Sequence, residues 1–310
     1  MPQKIKVLIA VDGSESAMDA VRYAGGFFDP GGTAITLMHV LTVLPDLVED
    51  LKKIASAGNL TFDREAQNLK LAQQAEEMMQ QAQSSLEAFG YEKDAVEIKI
   101  ARRDTGVAKD ITAESGRGYD LLVVGRRGIK DPTETIVGAT AYQMLNAADG
   151  LPVVIVGTQP DPDHVLIGFD GSENAFKAVD TACSLISRPG REVVLCHVSP
   201  AANIDVKGAK AYSADQEKQW SDEQSRLIGE LMDKAKGRLA DAGFSPESIS
   251  NAVVDLRTSR AATLSITAQK KNCGTIVIGR RGLSMIRDFM IGRVTMKVLH
   301  RAHELAVWVV

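Results

Sequence analysis

The segment VLIAVDGSESA at 7–17 recurs as VLIGFDGSENA at 165–175, so the chain carries one unit written twice. The copies stand 158 residues apart, Asp12 answering Asp170 and His39-Val40 answering His197-Val198, about half of the 310 residues. Farther along, VVGRRG at 123–128 matches VIGRRG at 277–282, and Gly138 matches Gly292, now at a shift of 154. The second copy is a few residues shorter between these landmarks, a change that loops absorb. Both copies end alike, in LPVVIVG (151–157) and LAVWVV (305–310). Between them GTQPDPD (157–163) interrupts helix and strand patterns, and the boundary falls there, giving units 1–158 and 159–310. Two copies of this length make a duplicated domain rather than a solenoid, each long enough to own a core.

Within each copy, short runs rich in Val, Ile and Leu alternate with helical patterns. The runs lie at 5–11, 34–41, 96–101, 121–125 and 153–157, then at 165–169, 192–198, 250–256, 275–279 and 305–310. Segments such as LLVVG are apolar on both faces, which marks a parallel sheet covered by helices. The class is therefore α/β, with two repeated five-stranded parallel-sheet domains and helices on both faces. Ala17, Ala20, Val21, Ala24 and Phe28 share one face of the first helix, as do Ala175, Ala178, Val179, Ala182 and Ile186. Longer helices at about 63–89 and 215–242 carry Ala72, Ala75, Met79, Ala82, Leu86 and Phe89, and Leu227, Leu231, Ala235 and Leu239, with solvated opposite faces.

Several functions are excluded by reading. The net charge of −4 gives no pull toward nucleic acid or anionic membrane. No run of about 18 apolar residues could span a bilayer, and the first apolar stretch closes at Asp12 like a core strand rather than a signal peptide. Cys183, Cys196 and Cys273 include no C-x-x-C pair, which fits a reducing, cytoplasmic setting. There is no Gly-Lys dipeptide for a Walker loop, no G-x-G-x-x-G after the first strand, no G-x-S-x-G elbow and no H-E-x-x-H. His300 and His303 form an H-x-x-H pair without a third ligand, which reads as capping or packing.

What remains is a glycine constellation after the fourth strand of each copy, Gly125-x2-Gly128-x9-Gly138 and Gly279-x2-Gly282-x9-Gly292. Glycines let phosphate approach the backbone, and a following helix start attracts anions through its free N–H groups. Asp12 and Asp170 end the first strands, at the carboxyl edge where open parallel sheets bind ligands. A carboxylate there can accept hydrogen bonds from a ribose. Either motif alone is equally a turn or a helix N-cap, with Ser14 and Ser172 as the caps. Their joint recurrence at fixed spacing favours a nucleotide pocket, although duplication makes the two copies one observation.

Strand-Asp-Gly-Ser, His-Val closing the second strand and G-x2-G-x9-G together resemble the universal stress protein family, here as a tandem pair over essentially the whole chain. The resemblance implies an adenine nucleotide hydrolase-like domain of strand order 3-2-1-4-5. It also implies an intramolecular pseudo-dimer through the final strands and leaves room for a further homodimer. Members that bind ATP hold adenine after the second strand, ribose near the first aspartate and phosphates on the glycine loop. This nominates Asp12, Val40, Gly125, Arg127, Gly128 and Gly138, and Asp170, Val198, Gly279, Arg281, Gly282, Gly292, Arg293 and Thr295, with Mg2+ accompanying the nucleotide rather than a metal site of the protein's own.

The family pattern places Ser or Thr after the last glycine, where this chain has Ala139 and Arg293; three positions after the glycine stand Ala141 and Thr295. Losing two phosphate donors weakens binding by tens to thousands of fold, so the second site is expected to be the more competent. Arg126-Arg127 and Arg280-Arg281 are expected to offset part of this loss. Asp131, Glu134 and Asp288 form no pair that would position water and metal for ATP hydrolysis. The expected function is a cytoplasmic stress-response protein binding adenine nucleotide as a regulatory module. The alternative is a scaffold that has lost the nucleotide, and a slow ATPase is less favoured.

Overall fold

The two Asp-Gly-Ser segments do the same local work. Gly13 and Gly171 adopt positive φ (+83° and +77°), a turn that side chains resist. The next residue then caps a helix: the hydroxyl oxygens of Ser14 and Ser172 accept from Ala17 N and Ala175 N, each at 3.1 Å. These caps start α1 (Glu15–Phe27) and α5 (Glu173–Leu185) immediately after the first strand of each copy.

A computed structural model describes residues 4–43, 64–128, 137–148, 150–158, 160–186, 190–199, 214–282 and 291–310. The first copy supplies β1 (Ile5–Ala10), β2 (Thr33–Leu41), β3 (Val96–Arg102), β4 (Leu121–Gly125) and β5 (Val153–Val156). The second supplies β6 (His164–Gly168), β7 (Glu192–Ser199), β8 (Ile249–Asp255), β9 (Thr275–Ile278) and β10 (Ala306–Val309). Among the described residues these form one sheet in the order β3-β2-β1-β4-β5-β10-β9-β6-β7-β8. Pairing is parallel throughout each copy, so the order 3-2-1-4-5 holds in both. The copies meet where β5 and β10 pair antiparallel, with Val154 opposite Trp308.

The remaining helices are α2 (Arg64–Glu87), α3 (Val107–Ser115), α4 (Ala139–Ala147), α6 (Ala214–Asp241), α7 (Arg260–Lys270) and α8 (Arg293–Arg301). Buried side chains divide by sheet face, not by copy. One cluster joins Val7, Ile9, Phe27 and Met79 with Val165, Ile167, Ala235 and Trp308; the other joins Leu8, Met38 and Leu145 with Leu166, Leu264 and Val307. The continuous sheet joins the apolar faces of the two copies into two clusters, each shared by both, because alternate strand residues face opposite layers.

The seam is also held by polar contacts. The Trp308 indole Nε1 donates to the Tyr23 hydroxyl at 2.9 Å, and that hydroxyl lies 2.9 Å from Thr275 Oγ1, so α1 of the first copy is bonded to β9 and β10 of the second. Arg191 lays its guanidinium 3.8 Å from the Phe27 ring centroid and donates to Phe27 O at 2.6 Å. Phe89 departs from the core assignment made from its helical pattern. Helix α2 stops at Glu87, and the partly exposed ring instead covers Gly25 and Gly26, where its edge lies 2.5 Å from the place a Cβ on Gly25 would take.

Candidate functional site

The carboxyl ends of β1, β2 and β4, and of β6, β7 and β9, bring the same residue types together in each copy. His39 Nδ1 meets Val11 O at 2.8 Å and His197 Nδ1 meets Phe169 O at 2.9 Å, tying the end of the second strand to the segment before each aspartate. Val40 and Val198 follow those histidines and are buried. Asp12 Oδ1 accepts from Ser14 N, and Asp170 Oδ1 from Ser172 N, both at 3.0 Å. The other oxygen of each carboxylate rests on the glycine loop. A Cβ on Gly128 would come within 2.8 Å of Asp12 Oδ2, and one on Gly282 within 2.6 Å of Asp170 Oδ2.

The three glycines of each constellation therefore have different reasons. Gly128 and Gly282 make room for the carboxylate. Gly125 and Gly279 instead abut the first turn of a helix: a Cβ there would stand 2.5 Å from Ser16 O and 2.8 Å from Asn174 O. Gly138 and Gly292 are the N-caps of α4 and α8, with N–H groups bound to Arg126 O at 2.9 Å and Arg280 O at 2.8 Å. Gly125→Ala and Gly279→Ala are each expected to lower stability by about 1–3 kcal/mol, because helix backbone must move to admit the methyl; urea melts read it.

Arg127 is anchored through its backbone, its N–H donating to Ser16 Oγ at 3.1 Å while Ser14 Oγ donates to Arg127 O at 3.2 Å. Arg126 and Arg280, expected beside phosphate, point elsewhere. Arg126 is buried and donates to Ala302 O at 3.4 Å, and Arg280 donates to Leu145 O at 2.7 Å and Ala148 O at 2.8 Å, all in the opposite copy. Neighbours on an extended loop face opposite ways, so one arginine of each pair turns to the seam. Burial, aided by Arg127, holds the Arg126 guanidinium down at about 10.

Thr295 lies beside the same loop in the second copy. Its hydroxyl donates to Gly279 O at 3.0 Å, bracing the loop from below, and Ala141 in the first copy lacks that brace. Asp131, Glu134 and Asp288 lie outside the described residues. No cluster of three or more His, Cys, Asp or Glu placed to hold a metal occurs among the described residues, where His303 Nδ1 contacts Arg301 O at 3.2 Å.

In the second copy these residues border a cavity of about 690 Å³. It is lined by Asp170, Val198, Gly279, Gly282, Gly292 and Thr295, and its cations among the described residues are Arg260, Arg281 and Arg293. Cys196 lines it too, burial pushing its thiol up to about 12. Helix α6 closes one side with Gln224, Leu227, Ile228 and Leu231. Leu227, grouped with the core from its spacing, is 46% exposed and belongs to this wall. Arg260 is a residue that motif reading missed. It opens α7 behind the Ser259 cap, a Ser-Arg signal whose place in the first copy is taken by Gly106-Val107 opening α3.

The family model described as universal stress protein family matches residues 5–157 and again 162–310. The chain belongs to the universal stress protein family. A universal stress protein of Mycolicibacterium smegmatis is 26% identical over 302 residues, 96% of this chain and 94% of that one. Universal stress protein YxiE of Bacillus subtilis is 26% identical over 139 residues, 44% of this chain and 90% of its own length, the relation of a single unit to a tandem pair. Among solved structures, a universal stress protein from Archaeoglobus fulgidus superposes with a TM-score of 0.64 over 98% of this chain and 97% of its own at 19% identity, a likeness of fold. This universal stress protein thus presents two loop constellations of one design. In the described structure of its first copy, the places of Arg260, Arg281 and Arg293 are held by Val107, Arg127 and Ala139. No helix among the described residues is long and apolar enough to cross a membrane.

Proposed function

We propose that the chain binds an adenine nucleotide, ATP foremost, in the second copy, and acts as a cytoplasmic regulatory module rather than an enzyme of rapid turnover. The observation that carries this reading is the second-copy cavity, where one carboxylate seated against Gly282, the backbone of three glycines and, among the described residues, three arginines border one space. Its volume lies within the range of small-molecule sites. A polyanion needs that cation set, and guanidinium groups suit phosphate oxygens. Asp170 takes the ribose, the backbone at Val198 the base, and Gly279, Gly282, Gly292, Arg281 and Arg293 the phosphates, with Mg2+ travelling on the nucleotide. Asp12, Val40, Gly125, Arg127, Gly128 and Gly138 form the matching first-copy site, poorer among the described residues by two cations and by the brace of Thr295. The units 1–158 and 159–310 act as a pseudo-dimer within one chain, with a homodimer as the next level of assembly.

A scaffold without nucleotide is the second reading, favoured by two facts: neither last glycine is directly followed by a hydroxyl, and Thr295 spends its own on the loop. Mass spectrometry of the gently purified protein separates the two. An adenine nucleotide at about one per chain, with phosphate release no faster than background, is the expected result. A chain that carries none and takes up no added ATP is a scaffold, and steady phosphate release would make it an enzyme.

A further inference from the structure

We propose that Arg280 and Arg126 are positioning residues that couple the two glycine loops across the seam. The backbone of each arginine lies in the loop of its own copy. Arg126 N donates to Val156 O and Arg126 O receives Gly138 N, while Arg280 N donates to Val310 O and Arg280 O receives Gly292 N. The side chain of each reaches the last helix of the other copy at its carboxyl end. Arg280 donates to Leu145 O and to Ala148 O, the C-cap residue of α4, and more distantly to Leu151 O at 3.4 Å. Arg126 reaches Ala302 O, the C-cap residue of α8.

Carbonyls in the last turn of a helix have no partner within it, and a cation there also answers the helix dipole. So α4 is held at its start by the Arg126 carbonyl of its own loop and at its end by the Arg280 guanidinium of the other. Helix α8 is held in the reciprocal way. Each helix is nine residues, short enough that the fastening of its ends decides how firmly it is held. A ligand that fixes the 279–282 loop fixes the Arg280 backbone, hence its guanidinium, hence the end of α4 some 130 residues away in sequence (Arg280 to Leu145 spans 135). The traffic is uneven. Arg280 has two carbonyls at short distance, whereas among the described residues Arg126 makes one long bond and leaves Nε and Nη2 buried without partners, so the stronger influence runs from the second loop to the first copy.

As a coupling of nucleotide sites this rests on the reading above, and hydrogen–deuterium exchange of the full chain keeps the two apart. In an Asp12→Ala background, which disables the first copy's own ribose contact, ATP is expected to slow exchange at 142–148 at least threefold as well as at 291–295. With Arg280→Met added, the slowing at 142–148 is expected to fall below 1.5-fold while some remains at 291–295. Remote slowing that survives Arg280→Met, or that is missing although 291–295 is protected, overturns the coupling. If ATP protects neither segment the nucleotide reading fails, and the ligand-free comparison decides whether Arg280 holds the end of α4. Arg280→Met is expected to speed exchange at 142–148 at least fivefold against less than twofold at 294–301, and equal rates overturn it.

Discussion

Trp308→Ala is expected to lower the stability of the whole chain by about 3–5 kcal/mol, the range for emptying a large aromatic site in a packed core. The indole is fully buried, two positions from the end of the chain, with Phe27 and Phe28 at ring distances of 5.0 and 6.0 Å. Its N–H bonds the Tyr23 hydroxyl, so the substitution also removes one of the two partners of a group deep in the seam. Trp308→Phe keeps most of the volume and loses the donor, and is expected to cost about 0.5–1.5 kcal/mol. Because both cores run through both copies, urea melts of wild type and variants are expected to show one transition, shifted in midpoint, with no separate loss of one copy. Two resolved transitions, or a loss below about 1 kcal/mol for Trp308→Ala, would mean that the copies are stabilised independently.

The repeat made most of the architecture legible. Two Asp-Gly-Ser turns, two glycine constellations and ten apolar runs each found their element, because strand alternation, turn chemistry and capping act over a few residues. What stayed hidden depends on direction or on distance along the chain. Adjacent arginines look equivalent in Arg126-Arg127 and Arg280-Arg281, yet the pleat of the loop sends the first of each to the seam. Leu227 fits the same apolar stripe as Ala235 and Leu239, and periodicity cannot tell a core position from a cavity wall two or three turns along the same helix. Arg260 reaches the cavity from a helix start about 20 residues before the glycine loop, and no short motif contains both. Thr295 shows a third limit: its hydroxyl was legible, but the carbonyl it would serve was not.

The asymmetry between copies leads to the largest expected effect on binding. Asp170 is the acid of the second cavity, seated against the Gly282 loop and held by Ser172 N. Hydrogen bonds between a carboxylate and ribose hydroxyls contribute about 1.5–3 kcal/mol, so Asp170→Ala is expected to weaken ATP binding roughly 10- to 150-fold. Asp12→Ala removes the same group from a site that has, among the described residues, one arginine in place of three, and the tight binding is expected to change less than about threefold. The two sites share geometry around the aspartate, so the difference isolates the cations and the bracing of the loop. Calorimetric titration of ATP into wild type, Asp12→Ala and Asp170→Ala measures this difference between the copies. One tight site per chain is expected, lost with Asp170→Ala and kept with Asp12→Ala. Equal loss from both variants, or a tight site abolished by Asp12→Ala alone, would contradict it.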